Sequence, residues 1–478
     1  MGSHSKLKVG GDGEDKISQL PDAVLSHMLS FLPTKHAVRT SILSTRWKNI
    51  WASVPTLDLE HYYCDERRSL HAGFVSSIDR VLYCESSDIQ RFRLHYYCLS
   101  EDLSRIDGWI RTAIRRNVVE LDLCVWVRGD KVEKIELPTT IFLCKTLKLN
   151  LESNCFIYAP PESGCFPNLK VLHIGVDCPD KEFMEKLFTF FPLLEDLSID
   201  GRLSSDISGT FKLFVPELKR LRIDIDSDLT FEDPYEYYFS INAPKLEFVN
   251  LKMDFLPSIV LDNAKSLVKA VLSFSHHDAI EHEHYDDRAT TLLAAISNVQ
   301  HLSLSVHSLD ASCIPAFDNL IHLKLVLHDC HHWEVLAELL HRTPNLERLV
   351  LEHNGDVDCD SEREFDSHEE RYFANNPNSE NEETSEDEEN YKGYLEHPWW
   401  ECEKTAPVCL LSHLKIIVLR GFGGSNGEKE VAKYLLKNGK VLKKMTIYTG
   451  DFFYSKEKFH NACALFRKGS KTCRVKFI

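Results

Sequence analysis

Residues 166–174 read FPNLKVLHI, residues 191–199 FPLLEDLSI and residues 215–223 VPELKRLRI. All three carry one frame, apolar-x-x-apolar-x-apolar, as in Leu169/Leu172/Ile174. A short strand explains the last two positions, because alternate residues such as Leu172 and Ile174 point to the same side. Leu169, three residues earlier, folds over to close the same core. One such unit cannot bury its apolar face alone, whereas stacked neighbours can. Pro and Asn residues mark the turn into each strand, as at Pro167-Asn168, Pro192, Pro216, Pro244 and Pro344-Asn345.

Working outward, the frame occurs upstream at Ile89/Phe92/Leu94, Val118/Leu121/Leu123 and Cys144/Leu147/Leu149. Downstream it follows at Leu194/Leu197/Ile199, Leu218/Leu221/Ile223, Leu246/Val249/Leu251 and Leu267/Ala270/Leu272. Four more are Val299/Leu302/Leu304, Leu320/Leu323/Leu325, Leu346/Leu349/Leu351 and Leu414/Ile417/Leu419, and the last is Leu442/Met445/Ile447. Most steps lie between about 21 and 32 residues. The step from Leu346 to Leu414 equals one repeat plus about 42 residues, so it marks an insertion into an array. Between strands lie helix-like patterns. Lys181 to Phe190 places Phe183, Leu187 and Phe188 on one side, and His332 to His341 does so with Trp333, Leu336, Ala337 and Leu340. This alternation resembles a leucine-rich repeat solenoid. The fold class expected is α/β: an N-terminal three-helix module, then an irregular solenoid of parallel strands with helices on its outer face.

The chain has 478 residues, 43% of them hydrophobic and 27% charged, which suits a folded array. No apolar run reaches the ~18 residues of a membrane span. The head lacks a secretory h-region, and Lys6 stands where a myristoylation signal needs Ser or Thr. Fifteen cysteines, an odd number with no C-x-x-C, fit reduced thiols acting as small apolar side chains. A cytoplasmic or nuclear location and no membrane contact are therefore expected. The net charge of −17 is unevenly spread. Residues 354–396 hold 16 acids against three bases, while residues 403–478 hold 16 Lys and Arg against five acids. The acidic stretch, with Asn375 to Asn390 reading NNPNSENEETSEDEEN, reads as a solvated loop. Sharper readings make it a tether against the basic C-terminal segment, or a phosphorylation target at Thr384 and Ser385.

The first sixty residues follow another pattern. Ile17 to Leu59 reads ISQLPDAVLSHMLSFLPTKHAVRTSILSTRWKNIWASVPTLDL. Asp22 is placed to cap a helix with apolar Val24, Leu25, Met28, Leu29 and Leu32. Pro33 ends it, and Thr34 is placed to cap a second helix carrying Ala37, Val38 and Ile42. Ser44 or Thr45 opens a third, with Trp47, Ile50 and Trp51 on one face. So small a core is marginal, and apolar surface beyond what it hides points to a partner.

This segment resembles the F-box, through Leu20-Pro21, Leu25, Leu29, Leu32-Pro33, Val38, Arg39, Leu43, Ser44, Arg46, Trp47 and Trp51. Residues 407–449 resemble the FBD segment that ends many plant F-box proteins with leucine-rich repeats. That likeness rests on Pro407, Cys409-Leu410, Leu414-Lys415, Gly421-Phe422, Gly424, Glu428, Tyr434 to Asn438 and Leu442 to Met445; Gly439 departs from the usual Ala. The expected layout is a disordered head (1–15), an F-box (16–60), a leucine-rich repeat solenoid (61–353), an acidic insertion (354–402) and FBD-like C-terminal repeats (403–478).

These residues offer little to other chemistry. Gly421 to Gly427 follows a strand and precedes a helix, but Asn426 takes the third glycine of G-x-G-x-x-G and no G-K-[ST] follows. Ser425-x-x-Glu428 reads instead as a capping box opening the helix Glu428 to Lys437. Histidines at 276, 277, 282 and 284, and His328, Cys330, His331 and His332, sit in polar loops or at a helix start without paired cysteines. No nucleophile elbow accompanies the Ser, His and Asp residues. No catalytic residue, metal or cofactor is expected.

The F-box likeness implies a non-catalytic substrate receptor of a Skp–Cullin–F-box ubiquitin ligase. Such a receptor docks on a Skp-type adaptor, reaches a cullin–RING ligase through it, and holds a protein target on its repeats. The adaptor anchors it implies are among Leu20, Pro21, Leu25, Leu29, Leu32, Pro33, Val38, Leu43, Trp47 and Trp51, with some, especially the tryptophans, serving the F-box's own core. Target candidates are the outward strand positions His173, Ser198, Arg222, Asn250, Ser303, Lys324 and Val350. A non-degradative F-box scaffold and, more weakly, a nucleic-acid-binding solenoid remain as alternatives.

Overall fold

The computed structural model describes residues 17, 19–61, 68–83, 88–98, 100–127, 135–136, 141, 146–153, 156–157, 166, 168–177, 191–203, 209–227, 237–274, 285–306, 309–328, 333–353, 405–422, 426–448 and 465–478. The chain divides into two compact units, residues 1–173 and 174–478. The acidic stretch at 354–402, the Lys181–Phe190 pattern and the 276–284 histidines lie outside the described residues.

The first unit begins with three short helices, α1 (Asp22–Leu29), α2 (Thr34–Arg39) and α3 (Trp47–Ile50). Leu25, Leu29, Ala37, Trp47, Ile50 and Val54 form their core, with Leu20 and Trp51 packed against it. The caps differ from expectation. Pro21 and Pro33 occupy the N-cap positions of α1 and α2, and neither helix has a side-chain cap. The proline rings fix the entry angle instead. This releases Asp22 to accept from Arg46 and Thr34 to accept from the Asp58 amide at 2.7 Å.

Parallel strands follow at Thr56–His61, Arg91–Cys98, Glu120–Val127 and Lys148–Ser153. Leu57, Phe92, Leu121 and Leu149 stand in one buried row, and Leu59, Leu94, Leu123 and Leu151 in the next. Two corrections follow from this register. The array starts one frame early, at Val54/Leu57/Leu59, within the segment read as F-box. The frame expected at Cys144/Leu147/Leu149 is shifted by two, to Thr146/Leu149/Leu151. Leu147 is exposed, whereas Thr146 is buried and its hydroxyl donates to the Val118 carbonyl at 3.2 Å. Thr satisfies its own polar group there, so an apolar-only frame misses it.

In the second unit, parallel strands run in chain order at Asp196–Leu203, Arg220–Ser227, Phe248–Met253, Lys269–Phe274 and His301–Val306. They continue through His322–Leu327, Arg348–His353, Ile416–Arg420, Lys444–Tyr448 and Arg474–Phe477. The strand on either side of the long insertion pairs directly, Leu349 beside Ile417, so the array resumes in register. The last strand, Arg474–Phe477, adds a frame the sequence pattern did not reveal. The proline-containing entries are turns: Leu194, Leu218, Leu246 and Leu346 donate their amides to the carbonyls of Phe191, Val215, Ala243 and Thr343. Proline at the second turn position holds the φ this bend needs.

The outer layer is not helical throughout. Gly209–Phe214, Tyr237–Asn242 and Ser258–Asp262 form a second, three-stranded parallel sheet where helices were expected. Their residues alternate with period two, burying Phe211, Leu213, Tyr237, Phe239, Ile241, Ile259 and Leu261. Helices return at Tyr285–Ala295, Trp333–Arg342, Val408–Ser412 and Asn426–Asn438. Trp333, Val335, Leu336, Leu339 and Leu340 are all buried in the second of these. Close backbone approach requires two glycines. A Cβ on Gly201 would lie 1.8 Å from the Val176 carbonyl oxygen, and one on Gly421 (φ +70) 2.0 Å from that of His353. No helix among the described residues is long and apolar enough to cross a membrane.

Candidate functional site

The N-terminal module offers the clearest functional surface. The apolar residues of α1 divide between two faces. Leu25 is 0% exposed and Leu29 nearly so, whereas Val24, Met28 and, just beyond the helix, Phe31 and Leu32 stay exposed. Phe31 is 75% exposed, and Ile42 and Leu43 in the turn after α2 are 86% and 64% exposed. Leaving a large apolar side chain in water forgoes roughly 1.5–3 kcal/mol of burial. Several together on one small module mark a surface that another molecule covers.

The scaffold beneath that surface is fixed by polar contacts. The Arg46 guanidinium donates to Asp22 Oδ1 from Nε at 2.9 Å and from Nη2 at 2.6 Å, and also to the Leu20 carbonyl. That ties the entry of α1 to the residue before α3. Ser26 donates to the Ser53 carbonyl at 3.1 Å and Thr56 to the Ser30 carbonyl at 3.2 Å. Trp51 Nε1 donates to the Lys48 carbonyl at 3.0 Å, and Ser44 Oγ accepts from the Trp47 amide at 3.5 Å.

The ten candidate adaptor anchors fall into three groups. Leu25, Leu29 and Trp47 are buried in the module's own core, so their contribution is to hold its shape. Leu20, Val38 and Trp51 are half-buried. Pro21, Leu32, Pro33 and Leu43 are exposed. Exposed Val24, Met28, Phe31 and Ile42 were not among the ten. For Val24 and Met28 the signal was the pairing of apolar residues at i and i+1 along α1, which one helix face cannot hide.

On the strands, Ser198, Arg222 and Asn250 are direct neighbours in one row, and Ser303, Lys324 and Val350 continue that row beyond Val271. His173 ends the first unit and is half-buried. Arg222 and Lys324 are already engaged. Arg222 lies 2.8 Å from Asp196 and over the Phe248 ring at 5.3 Å, and Lys324 lies 2.9 Å from Glu352. In the first unit the equivalent face holds a polar network: Arg93 contacts Asp58 at 2.8 Å, and His95 contacts Asp122 at 3.1 Å. Burial of Asp122 opposes its charge. The hydrogen bond and charge from His95, a hydrogen bond from Asn150 and the Arg93 charge outweigh that, so its carboxyl sits below the usual range.

The weaker motifs resolve into structure. Glu428, expected to complete a capping box with Ser425, is buried with its carboxylate 2.8 Å from His353 Nδ1. Ser425 lies outside the described residues, and the helix starts at Asn426. That pair joins the strand before the insertion to the helix after it. His328 contacts Ser305 Oγ at 2.9 Å, and the rest of its cluster lies outside the described residues. No group of metal-ligating side chains occurs among the described residues. Cys124, Cys313, Cys409 and Cys473 are free and buried. Burial pushes the Cys409 thiol up to about 12 and that of Cys124 up to about 11, so both stay protonated at neutral pH.

Comparison with known proteins matches two segments to family models: residues 17–58 to the F-box domain and residues 402–447 to FBD. Relatives from Arabidopsis thaliana match most of the chain. F-box/FBD/LRR-repeat protein At5g22660 is 29% identical over 91% of this chain and 90% of its own length. F-box/LRR-repeat protein At4g14103 is 31% identical, covering 71% of this chain and 91% of the relative. F-box/FBD/LRR-repeat protein At5g22700 is 32% identical over 70% and 78%. This chain belongs to the F-box/FBD/LRR-repeat family.

In this F-box/FBD/LRR-repeat protein, the exposed apolar surface on α1 and after α2 therefore lies within the F-box itself. F-box proteins with these repeats generally serve as non-catalytic substrate adaptors of Skp–Cullin–F-box complexes, and the F-box is the module that binds a Skp-type adaptor. The FBD match covers the strand Ile416–Arg420, the helix after it and all but the last residue of the strand Lys444–Tyr448. In this chain the FBD is thus two repeats of the array, built on the same frame.

Proposed function

We propose that the chain is the substrate-recognition subunit of a Skp–Cullin–F-box E3 ubiquitin ligase, working in the cytoplasm or nucleus. The observation that carries this reading is the F-box surface of Val24, Met28, Phe31, Leu32, Ile42 and Leu43, left exposed by a module whose core is already closed. A Skp-type adaptor that buries these side chains gains their transfer free energy without refolding the module. The strand face of the repeats then holds a protein target. The chain does no covalent step; it raises the local concentration of a target lysine near the conjugating enzyme.

The test is co-purification of the full chain with a Skp-type adaptor and a cullin, wild type against Ile42→Asp/Leu43→Asp. The wild type is expected to bring down both partners and the variant neither, with the variant's circular dichroism unchanged. Adaptor binding without cullin would turn the reading to a non-degradative scaffold. A folded wild type that binds no adaptor would end it.

A further inference from the structure

The outward face of the second unit's sheet changes character along its length. Near its start, cations are matched. Arg220 and Arg222 both reach Asp196, at 2.7 and 2.8 Å, and Lys252 reaches Asp224 at 2.9 Å. At the C-terminal end they are not. Arg348, Ile416, Lys444 and Arg474 stand side by side in one outward row. Lys476 lies in the adjacent outward row, and Arg420 stacks on its cross-strand neighbour Tyr448 at 5.4 Å. Arg348, Arg420, Lys444, Arg474 and Lys476 are all exposed, and among the described residues none has a carboxylate within ion-pair distance. Glu352, the carboxylate of the strand Arg348–His353, is taken by Lys324.

Lys444 and Arg474 are directly opposite on adjacent strands. Strands about 4.8 Å apart bring such charges close, and like charges opposite each other destabilise a sheet. The protein thus keeps a repulsion that a single acidic substitution would relieve, on a face whose other end shows the relief in place. Features that oppose stability without local compensation cluster where function requires them.

We propose that this end of the sheet, formed by the two FBD strands and the strand on either side of them, binds an acidic peptide segment of the target protein. Five cations on four neighbouring strands, with Tyr448 at the edge, match an extended chain carrying several carboxylates or phosphates. A nucleic acid fits less well. Among the described residues the patch has one aromatic ring, Tyr448, rather than a stacking platform. The inference takes from the proposed function only that targets dock on the strand face. It is tested without adaptor, so its failure and that of the ligase reading are separable.

The experiment measures fluorescence anisotropy of labelled dodecaglutamate and dodecaglutamine peptides with the purified full chain at low and moderate salt. Dodecaglutamate is expected to bind with an affinity falling steeply with salt, and dodecaglutamine not to bind. Lys444→Glu/Arg474→Glu/Lys476→Glu is expected to weaken binding at least tenfold without lowering the melting temperature. A triple variant with the same charge change elsewhere, Lys212→Glu/Lys245→Glu/Lys265→Glu, should weaken it less than twofold. Equal losses in both triples, or equal binding of both peptides, would overturn the proposal. Tighter binding of a twelve-nucleotide thymidine strand would replace it with a nucleic-acid surface. Binding seen only after the acids of residues 375–390 are changed to amides would make the chain's own acidic segment the occupant and overturn the partner reading.

Discussion

The F-box and the C-terminal strands both present side chains that a self-contained fold would hide or neutralise, but of opposite kinds. The F-box exposes Phe31, Ile42 and Leu43 above a closed core, while the C-terminal strands bury Ile417, Leu419, Met445 and Ile447 and expose unmatched cations. An apolar surface acts at contact range and is little affected by salt. A cationic surface acts over about a Debye length and weakens as salt rises. One chain therefore carries two surfaces whose contacts respond to different variables, and substitutions separate them.

Leu25→Ala has the largest expected effect, because it opens a cavity in a core of only six buried residues. A loss of about 3 kcal/mol is expected. It should abolish adaptor binding by destabilising the module and the first unit it belongs to, while the second unit retains its own melting transition. Calorimetry in which the second unit's transition moves as far as the first unit's would contradict this. Gly421→Ala acts at the other end. Its Cβ would meet the His353 carbonyl, and its φ disfavours any side chain. A cost of about 2 kcal/mol is expected, seen as a lower melting temperature with adaptor affinity intact.

Asp122→Asn should have a smaller, pH-dependent effect. A carboxyl held below its usual range contributes stability above its unfolded pKa and loses it as pH falls through the lower folded value. The wild type's advantage over the variant should therefore be full at neutral pH and shrink under acid; an advantage that grows on acidification would contradict the assignment. The mildest expectation concerns thiols. Cys124 and Cys409, protonated and buried, should react with a thiol reagent only after denaturant is added, and rapid native labelling of either would place it elsewhere.

How much of this was legible in the sequence depends on what each position must satisfy. Frames whose true positions are all apolar, such as Leu218/Leu221/Ile223, marked their strands correctly, because burial alone decides them. The frame at Thr146 was misplaced by two residues because a hydroxyl met its hydrogen bond inside the core. The second sheet was missed because its strands occupy positions where a helix is the usual connection, although the alternation in Tyr237–Asn242 signalled period two. In the F-box the residue types pointed to the right module, but sequence spacing did not separate core Leu25 and Leu29 from exposed Val24 and Met28. That division depends on how α3 packs across α1. The unmatched cations were visible only as a basic segment, since which acids lie opposite is a matter of strand register.

The central claim is that the F-box docks through its exposed apolar side chains. Titration calorimetry of the full chain with a purified Skp-type adaptor, at low and moderate salt, tests it most directly. The account predicts an affinity nearly independent of salt, reduced at least a hundredfold in Ile42→Asp/Leu43→Asp and unchanged in Lys444→Glu/Arg474→Glu/Lys476→Glu. An affinity that survives the first variant, or collapses in the second, would contradict it.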